Sequence, residues 1–318
     1  TVQELQRRLG QKNQELLRRT RRSLLDSYPA LLAVPQFIFE GRRGAERLLG
    51  YCALDLRAKG MENFGKLLED PVRLGQLQDL PMPAKLVMAA QLVEAFQFLS
   101  AEIRYIHADL KADNLFVDLS RPACAIIDLD SGALARDAND EPTTPGTLQE
   151  WLAPEIYQQL RALNRGINGV RVNLFSDIWS VTIGIHFLLF GFHPYFFLSE
   201  LSPRSVREYF AHYRWPDAGP RCSYFRPEYR TEHQQYVAFL RREIPPEICK
   251  LFEITFNEGY QTPARRASYG QWKTALDAVR RRPPVIAFFR ADRTVISDQQ
   301  PIRLEWSVRG ARRLEIQP

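Results

Sequence analysis

Between Tyr105 and Asp118 the chain reads YIHADLKADNLFVD, and no other stretch packs so many chemically committed residues into so few positions. Just beyond it, Ala123–Asp130 (ACAIIDLD) is strand-like and ends in two acids. Read as a loop between two short strands, the first segment presents Asp109, Lys111 and Asn114 at one mouth, and the second brings Asp128 to the same mouth. Phosphoryl transfer needs this set: a carboxylate to accept the proton of an attacking hydroxyl, and a lysine to neutralise the moving group. An amide and a second carboxylate then hold a magnesium ion that bridges the phosphates. The bland alternative is a polar surface turn, where Asp and Asn are common. It leaves unexplained the ordered landmarks that follow downstream.

His107-x-Asp109-x-x-x-x-Asn114, followed after a short hairpin by Asp128, resembles the eukaryotic-type (Hanks-type) protein kinase superfamily. The resemblance implies an α+β fold with a mostly helical large lobe and a small β lobe. It implies Asp109 as catalytic base, Lys111 as the phosphate-neutralising lysine typical of serine/threonine kinases, and Asn114 and Asp128 as metal ligands. His107 would pack beneath the loop. The implied activity is transfer of the γ-phosphoryl group of ATP, with Mg2+, to a serine or threonine of a protein substrate. Two positions depart from the pattern. Ala108 stands where many kinases carry arginine, so a phosphate on the activation segment would lack its usual partner there. The metal motif reads Asp128-Leu129-Asp130-Ser131 instead of Asp-Phe-Gly, similar to a group of bacterial kinase-like proteins with Asp-x-Asp-Ser. Asp130 could add a metal contact or cap a turn, and both readings stand.

Further landmarks follow in the order such kinases carry them. Trp151-Leu152-Ala153-Pro154-Glu155 resembles the Ala-Pro-Glu end of an activation segment, and Thr143, Thr144 and Thr147 precede it as candidate phosphorylation sites or plain loop residues. Glu155 is expected to be buried against an arginine, because a carboxylate that leaves water needs a bidentate cation. Arg266 is the first candidate and Arg265 the second. Asp177 opens an apolar run, Ile178–Phe197, that resembles the buried central helix of the large lobe. It is expected to accept hydrogen bonds from the backbone around His107 and Ala108. The run is long enough to cross a bilayer, but it contains His186, Gly191, His193 and Pro194, so a buried helix and no membrane partner are expected.

The elements that must position these residues start upstream. Thr1–Tyr28 has apolar residues at helical spacing with an arginine-rich opposite face, and by position it would be the regulatory helix, with Glu15 or Glu4 facing the ATP-binding lysine. Neither a glycine-rich lid nor that lysine occurs in the chain. A fragment of a longer protein, strands supplied by another chain, or a pseudokinase used as a binding or scaffold module would each explain this. Val34–Glu40 reads as a strand with Gly41–Gly44 as its turn, and Arg47–Leu56 as the next strand. Backbone groups of Leu56, Arg57, Ala58 and Lys59 would then receive the adenine ring. Met61–Leu80 reads as helix and turn, and Pro83–Leu99 as an amphipathic helix supporting the loop.

Leu198–Tyr236 interleaves aromatic and basic residues, a composition that can stack on nucleic acid. Packing onto the large lobe is favoured, and nucleic acid is not expected as a partner. Ile244–Val279 supplies closing helices. After the basic, proline-stiffened linker Arg280–Pro284, alternating segments at Val285–Arg290, Ile302–Val308 and Arg313–Ile316 resemble the start of a bacterial immunoglobulin-like domain, a candidate surface for a partner protein. The division expected is 1–60 as a partial small lobe, 61–279 as the large lobe and 280–318 as linker and β segment.

Composition sets outer bounds. With 45% hydrophobic residues in 318 positions the chain can build a real core. The net charge of +6 sits mainly in local runs, which argues only weakly for an acidic partner. Cys52, Cys124, Cys222 and Cys249 are scattered, which gives neither a zinc pattern nor a disulfide framework, and a signal peptide is not expected from the opening residues. Reduced thiols and a cytoplasmic location are expected.

Overall fold

The computed structural model describes residues 14–15, 37–43, 46–137, 140–144, 150–162, 169–219, 221–280, 285–291 and 304–309. Of the expected N-terminal helix, Gln14 and Glu15 are described and are helical, while Glu4 lies outside the described residues. Strands β1 (Phe37–Arg43) and β2 (Glu46–Cys52) form an antiparallel hairpin in which Gly41 pairs with Leu48 and Arg43 with Glu46. This corrects the expected turn at Gly41–Gly44. Pairing continues through Arg43 and leaves only two residues between the strands, the length that hairpins favour. The second strand also stops at Cys52, short of Leu56.

From there the chain is α+β, with small sheets set on a helical body. A three-residue helical turn at Arg57–Lys59 leads to β3 (Glu62–Asn63), α1 (Phe64–Glu69) and α2 (Pro71–Asp79). Each helix starts on a capping side chain: Asn63 accepts from the Lys66 N–H, and Asp70 accepts from Val72 and Arg73 ahead of a first-turn proline. Helix α3 (Met82–Phe98) continues into a wider turn through Ile103. β4 (Tyr105–Ile106), β5 (Leu115–Asp118), β6 (Ala123–Ile126) and β7 (Ala133–Leu134) follow. β5 lies between β3 and β6 in an antiparallel sheet, with Leu115 opposite Ile126, and β4 pairs with β7.

Beyond the loop region, β8 (Thr143–Thr144) precedes α4 (Pro154–Ala162), then pairs with β9 (Val170–Arg171). Helix α5 (Leu174–Phe190) begins at a capping box between Asn173 and Ser176 and ends at Gly191, whose φ of 81° is the left-handed turn that glycine adopts without strain. Every residue from Ser176 to Phe190 is buried. α5 is thus apolar all round because protein surrounds it. The 22-residue span Met82–Ile103 is long and apolar enough to cross a membrane, and 61% of its apolar window is buried inside the fold.

Helices α6 (Pro203–His212), α7 (Arg230–Glu243), α8 (Pro246–Glu253) and α9 (Tyr269–Arg280) complete the lobe. α3, α5 and α9 share one core with β6, in which Trp272, Phe252, Phe256 and Phe96 are buried. The aromatics of 198–236 contribute to it: Tyr209, Trp215, Phe225 and Tyr236 are buried, Tyr209 against Phe210 and the other three against rings of the lobe, Trp215 on Phe256, Phe225 on Phe197 and Tyr236 on Phe196. Losing one such ring by truncation costs about 3–5 kcal/mol. Finally β10 (Val285–Ala291) and β11 (Leu304–Arg309) form an antiparallel hairpin with a register shift between Ile286 and Phe288. The third expected strand, Arg313–Ile316, lies outside the described residues.

Candidate active site

The loop between β4 and β5 is fixed from a distance. Asp177, in the first turn of α5, accepts the His107 N–H at 2.6 Å and the Ala108 N–H at 2.9 Å. Ala108 has a φ of 62°, a left-handed geometry that costs a non-glycine residue about 1 kcal/mol, and the double anchor holds it there. Burial pushes the Asp177 carboxyl up to about 7, against the two backbone N–H groups that pull it down. His107 lies beneath the loop. Its Nδ1 accepts the Asp109 N–H at 3.3 Å, so Nε2 carries the proton and donates to the Ile127 carbonyl at 3.1 Å. Burial lowers the imidazole pKa, and the ring stays neutral.

At the mouth, the Asp109 carboxylate accepts from Lys111 Nζ at 2.8 Å and from Asn114 Nδ2 at 3.2 Å. Asn114 Nδ2 also donates to the Asp109 carbonyl at 2.8 Å, which fixes the amide with its oxygen left over. The Asn114 carbonyl accepts the Ile127 N–H at 3.0 Å and ties the loop to the strand before Asp128. Asp128 is half-buried with a φ of 59°, and the His107 ring feels both its charge and that of Asp109. Asp109, Lys111 and Asn114 are therefore joined by hydrogen bonds, and Asp128 follows Ile127, whose amide and carbonyl are both tied to that loop. Hard oxygens from one amide and one carboxylate suit Mg2+, which takes few protein ligands and completes its shell with phosphate and water. Among the described residues no cluster of three His, Cys, Asp or Glu side chains forms a metal site of its own.

The Glu155 anchor is closed by Arg266, which donates from Nη1 at 2.8 Å and Nη2 at 2.6 Å, a bidentate pair. Its other donors go to the Gly259 and Phe175 carbonyls, its side chain is 0% exposed, and it lies over the Trp179 ring. Arg265 sits in the preceding turn, exposed. Thr144 is buried, its hydroxyl donating to the Ser131 carbonyl, while Thr143 is exposed and Thr147 lies outside the described residues.

The Leu56–Lys59 turn requires a correction. The N–H groups of Arg57 and Ala58 donate to the Asp55 carboxylate at 3.0 and 3.4 Å, and those of Lys59 and Met61 donate to the Leu56 carbonyl. The Arg57 carbonyl accepts from Gly60, and the Lys59 carbonyl from Arg121. Of the backbone groups expected to receive adenine, the Arg57, Ala58 and Lys59 amides are engaged locally, because Asp55, two residues before Arg57, and the Leu56 carbonyl take them. What the region does provide is a separate apolar floor of Leu56, Met61, Phe116 and Ala125, flanked by Leu54 and Ile127.

Sequence reasoning missed Asn63 and Gly65. Asn63 Nδ2 donates to the Asp113 carbonyl at 2.6 Å, and a Cβ at Gly65 would collide with the Asp113 carboxylate, so the start of α1 lies flush against the catalytic loop. Asn63 announces itself only as a helix cap, and nothing local signals a partner 50 residues away.

No curated protein matches the chain. A family model for the protein kinase domain matches residues 73–225, a span that holds the His107–Asn114 loop, Asp128, the Ala-Pro-Glu segment and α5. Over that span, just under half of its length, the chain is similar to protein kinase domains, and the match supports a kinase-like domain of the Hanks-type superfamily.

Proposed function

We propose that this protein is an ATP- and Mg2+-dependent serine/threonine protein kinase of bacterial type. A protein kinase domain implies ATP, usually a divalent metal, and a protein substrate. The observation that supports the finer reading is the Asp109 carboxylate, held by Lys111 and Asn114 in a loop that Asp177 anchors, with Asp128 next to Ile127, whose carbonyl accepts from His107 of that loop.

In the proposed reaction the substrate hydroxyl oxygen forms a bond to the γ-phosphorus while the bond to the ADP oxygen breaks, and the hydroxyl proton passes to Asp109. Lys111 stays beside that carboxylate and offsets charge on the transferring group. Asn114 and Asp128 would hold the metal, which when bound draws charge from the phosphate oxygens. The apolar floor around Phe116 would lie under the purine, and residues 53–55 would offer the backbone contacts that the closed turn at 57–59 does not. Arg266 and Glu155 keep the segment that would dock the protein substrate in place. The unpaired thiols of Cys124, Cys222 and Cys249 support a reducing, cytoplasmic setting.

A second reading, a pseudokinase serving as a scaffold, draws on the closed Leu56–Lys59 turn and on Ala108. Phosphate transfer from γ-labelled ATP to a serine/threonine protein acceptor separates the two. Asp109→Ala should remove transfer by at least about 100-fold with the melting temperature held. Transfer that survives the change refutes Asp109 as base, and magnesium-dependent ATP binding without transfer favours the scaffold.

A further inference from the structure

We infer that the Tyr105 hydroxyl is a positioning residue for Asp128, acting through the turn that follows it, and that position 132 is glycine to admit that hydroxyl. The inference rests on the reading of Asp128 as a metal-holding side chain.

Tyr105 is fully buried on β4, two residues before His107, and a buried phenol needs a hydrogen-bond partner. Its O–H donates to the Leu129 carbonyl, and the Gly132 backbone N–H bonds to the phenol oxygen. Residues 129 and 132 stand three positions apart across the bend that follows Asp128. Here the phenol sits between them and bridges both. A Cβ at Gly132 would overlap the Tyr105 oxygen and the Ile106 carbonyl, so no other residue leaves room for the bridge.

The consequence falls on Asp128. Its φ of 59° persists only if its neighbours are held, and they are held on both sides. His107 takes the carbonyl before it, at Ile127, and Tyr105 takes the carbonyl after it, at Leu129. Thr144 takes the next alternate carbonyl, at Ser131, from β8. Three side chains therefore grip carbonyls 127, 129 and 131, and Asp128 and Asp130 lie between the gripped positions. Supporting contacts of this kind commonly set metal affinity without touching the metal. Through Thr144, the segment ahead of Ala-Pro-Glu reaches the metal loop by one hydroxyl.

The test uses the purified chain with ATP and Mn2+, read by electron paramagnetic resonance, together with amide hydrogen exchange. Tyr105→Phe removes one oxygen and keeps the ring. It should weaken manganese uptake about tenfold and speed exchange across residues 128–132, while α3 and α5 exchange as before. Gly132→Ala should do the same by displacing the phenol, and Thr144→Val should have a smaller effect of the same sign. Unchanged manganese affinity in Tyr105→Phe, with a lowered melting temperature and uniformly faster exchange, would make Tyr105 a core residue only and overturn the inference. Asp128→Asn is the control: a wild-type chain whose manganese uptake this change does not reduce overturns the metal reading itself, and this inference with it.

Discussion

Two short polar turns, at Arg57–Lys59 and at His107–Asn114, are closed by opposite means. At Arg57–Lys59 the amides are satisfied by Asp55 and by the Leu56 carbonyl, all within five residues. In the catalytic loop the amides of His107 and Ala108 are satisfied by Asp177, 70 and 69 positions away. A turn closed from within holds its shape whatever surrounds it. A loop closed from outside has its shape only when α5 is in place, so its geometry reports on the folded lobe. The difference fits the proposed function: the loop that carries Asp109 is tied to a helix buried from Ser176 to Phe190, and the turn beside the cluster of Leu56, Met61, Phe116 and Ala125 is left local.

Removing the distant tie should therefore have the largest effect. Asp177→Ala leaves two buried N–H groups without acceptors, at about 1–3 kcal/mol each, and releases Ala108 from its left-handed geometry. Chemical denaturation should show a loss of about 2–6 kcal/mol along with lost activity. A loss under about 1 kcal/mol would mean that the loop holds itself and would erase the contrast with the Arg57–Lys59 turn.

The second long-range tie should rank next. Arg266→Lys keeps the charge but loses the planar fork that serves Glu155, Gly259 and Phe175 together. About 2–3 kcal/mol of stability should go. Activity should fall with it, because Arg266 also bonds the Phe175 carbonyl at the start of α5, the helix that anchors the loop. Stability equal to wild type would show that a point charge suffices and that fork geometry is incidental.

Which parts of this could be read from the sequence follows from the same contrast. The bonding of Asp109 with Lys111 and Asn114 was legible because side chains of those types at those spacings have few other uses. The Glu155–Arg266 pair was legible too, but the expected burial of the carboxylate was not met: Glu155 is 26% exposed and it is the Arg266 side chain that is fully buried. The closed turn at Leu56–Lys59 was not legible. Asp55 is one of many acids, and whether it bonds the next amides or points to water depends on backbone angles that no residue type dictates there. Nor was the Tyr105 bridge, since a tyrosine before the loop looks like core until Gly132 is seen beneath its oxygen. The β1 turn was misplaced because glycine marks turns, yet Gly41 pairs with Leu48 in mid-strand.

The pH dependence sharpens what a tie made by a lone carboxylate entails. The Asp177 pKa is raised in the folded state to about 7 by burial, so the protonated form is favoured by folding. Its contribution to stability is full below the ordinary carboxylate range and is lost as pH rises through about 7. Between pH 5 and 7 that loss is about 2 kcal/mol. His186 and His193, both pushed down to about 3 by burial, tilt the wild-type curve the other way, because their neutral forms are lost from the unfolded chain first as pH falls. The readout is therefore the difference between wild type and Asp177→Asn. That difference should shrink by about 2 kcal/mol from pH 5 to pH 7, and a flat difference would show that Asp177 stays ionised throughout.

The smallest effect should come from the local turn. Asp55→Ala removes one exposed carboxylate that bonds the Arg57 and Ala58 amides, so stability should drop by only about 0.5–1 kcal/mol. Its value lies in the nucleotide. If those amides are held from the base only by Asp55, then freeing them offers a purine two donors beside the Phe116 floor, and ATP affinity measured by calorimetry should rise. If affinity is unchanged while Phe116→Ala lowers it, the base contacts residues 53–55 and the closed turn is a fixed wall of the site. If neither change moves ATP affinity, the cleft does not take the base in this orientation, and the scaffold reading gains.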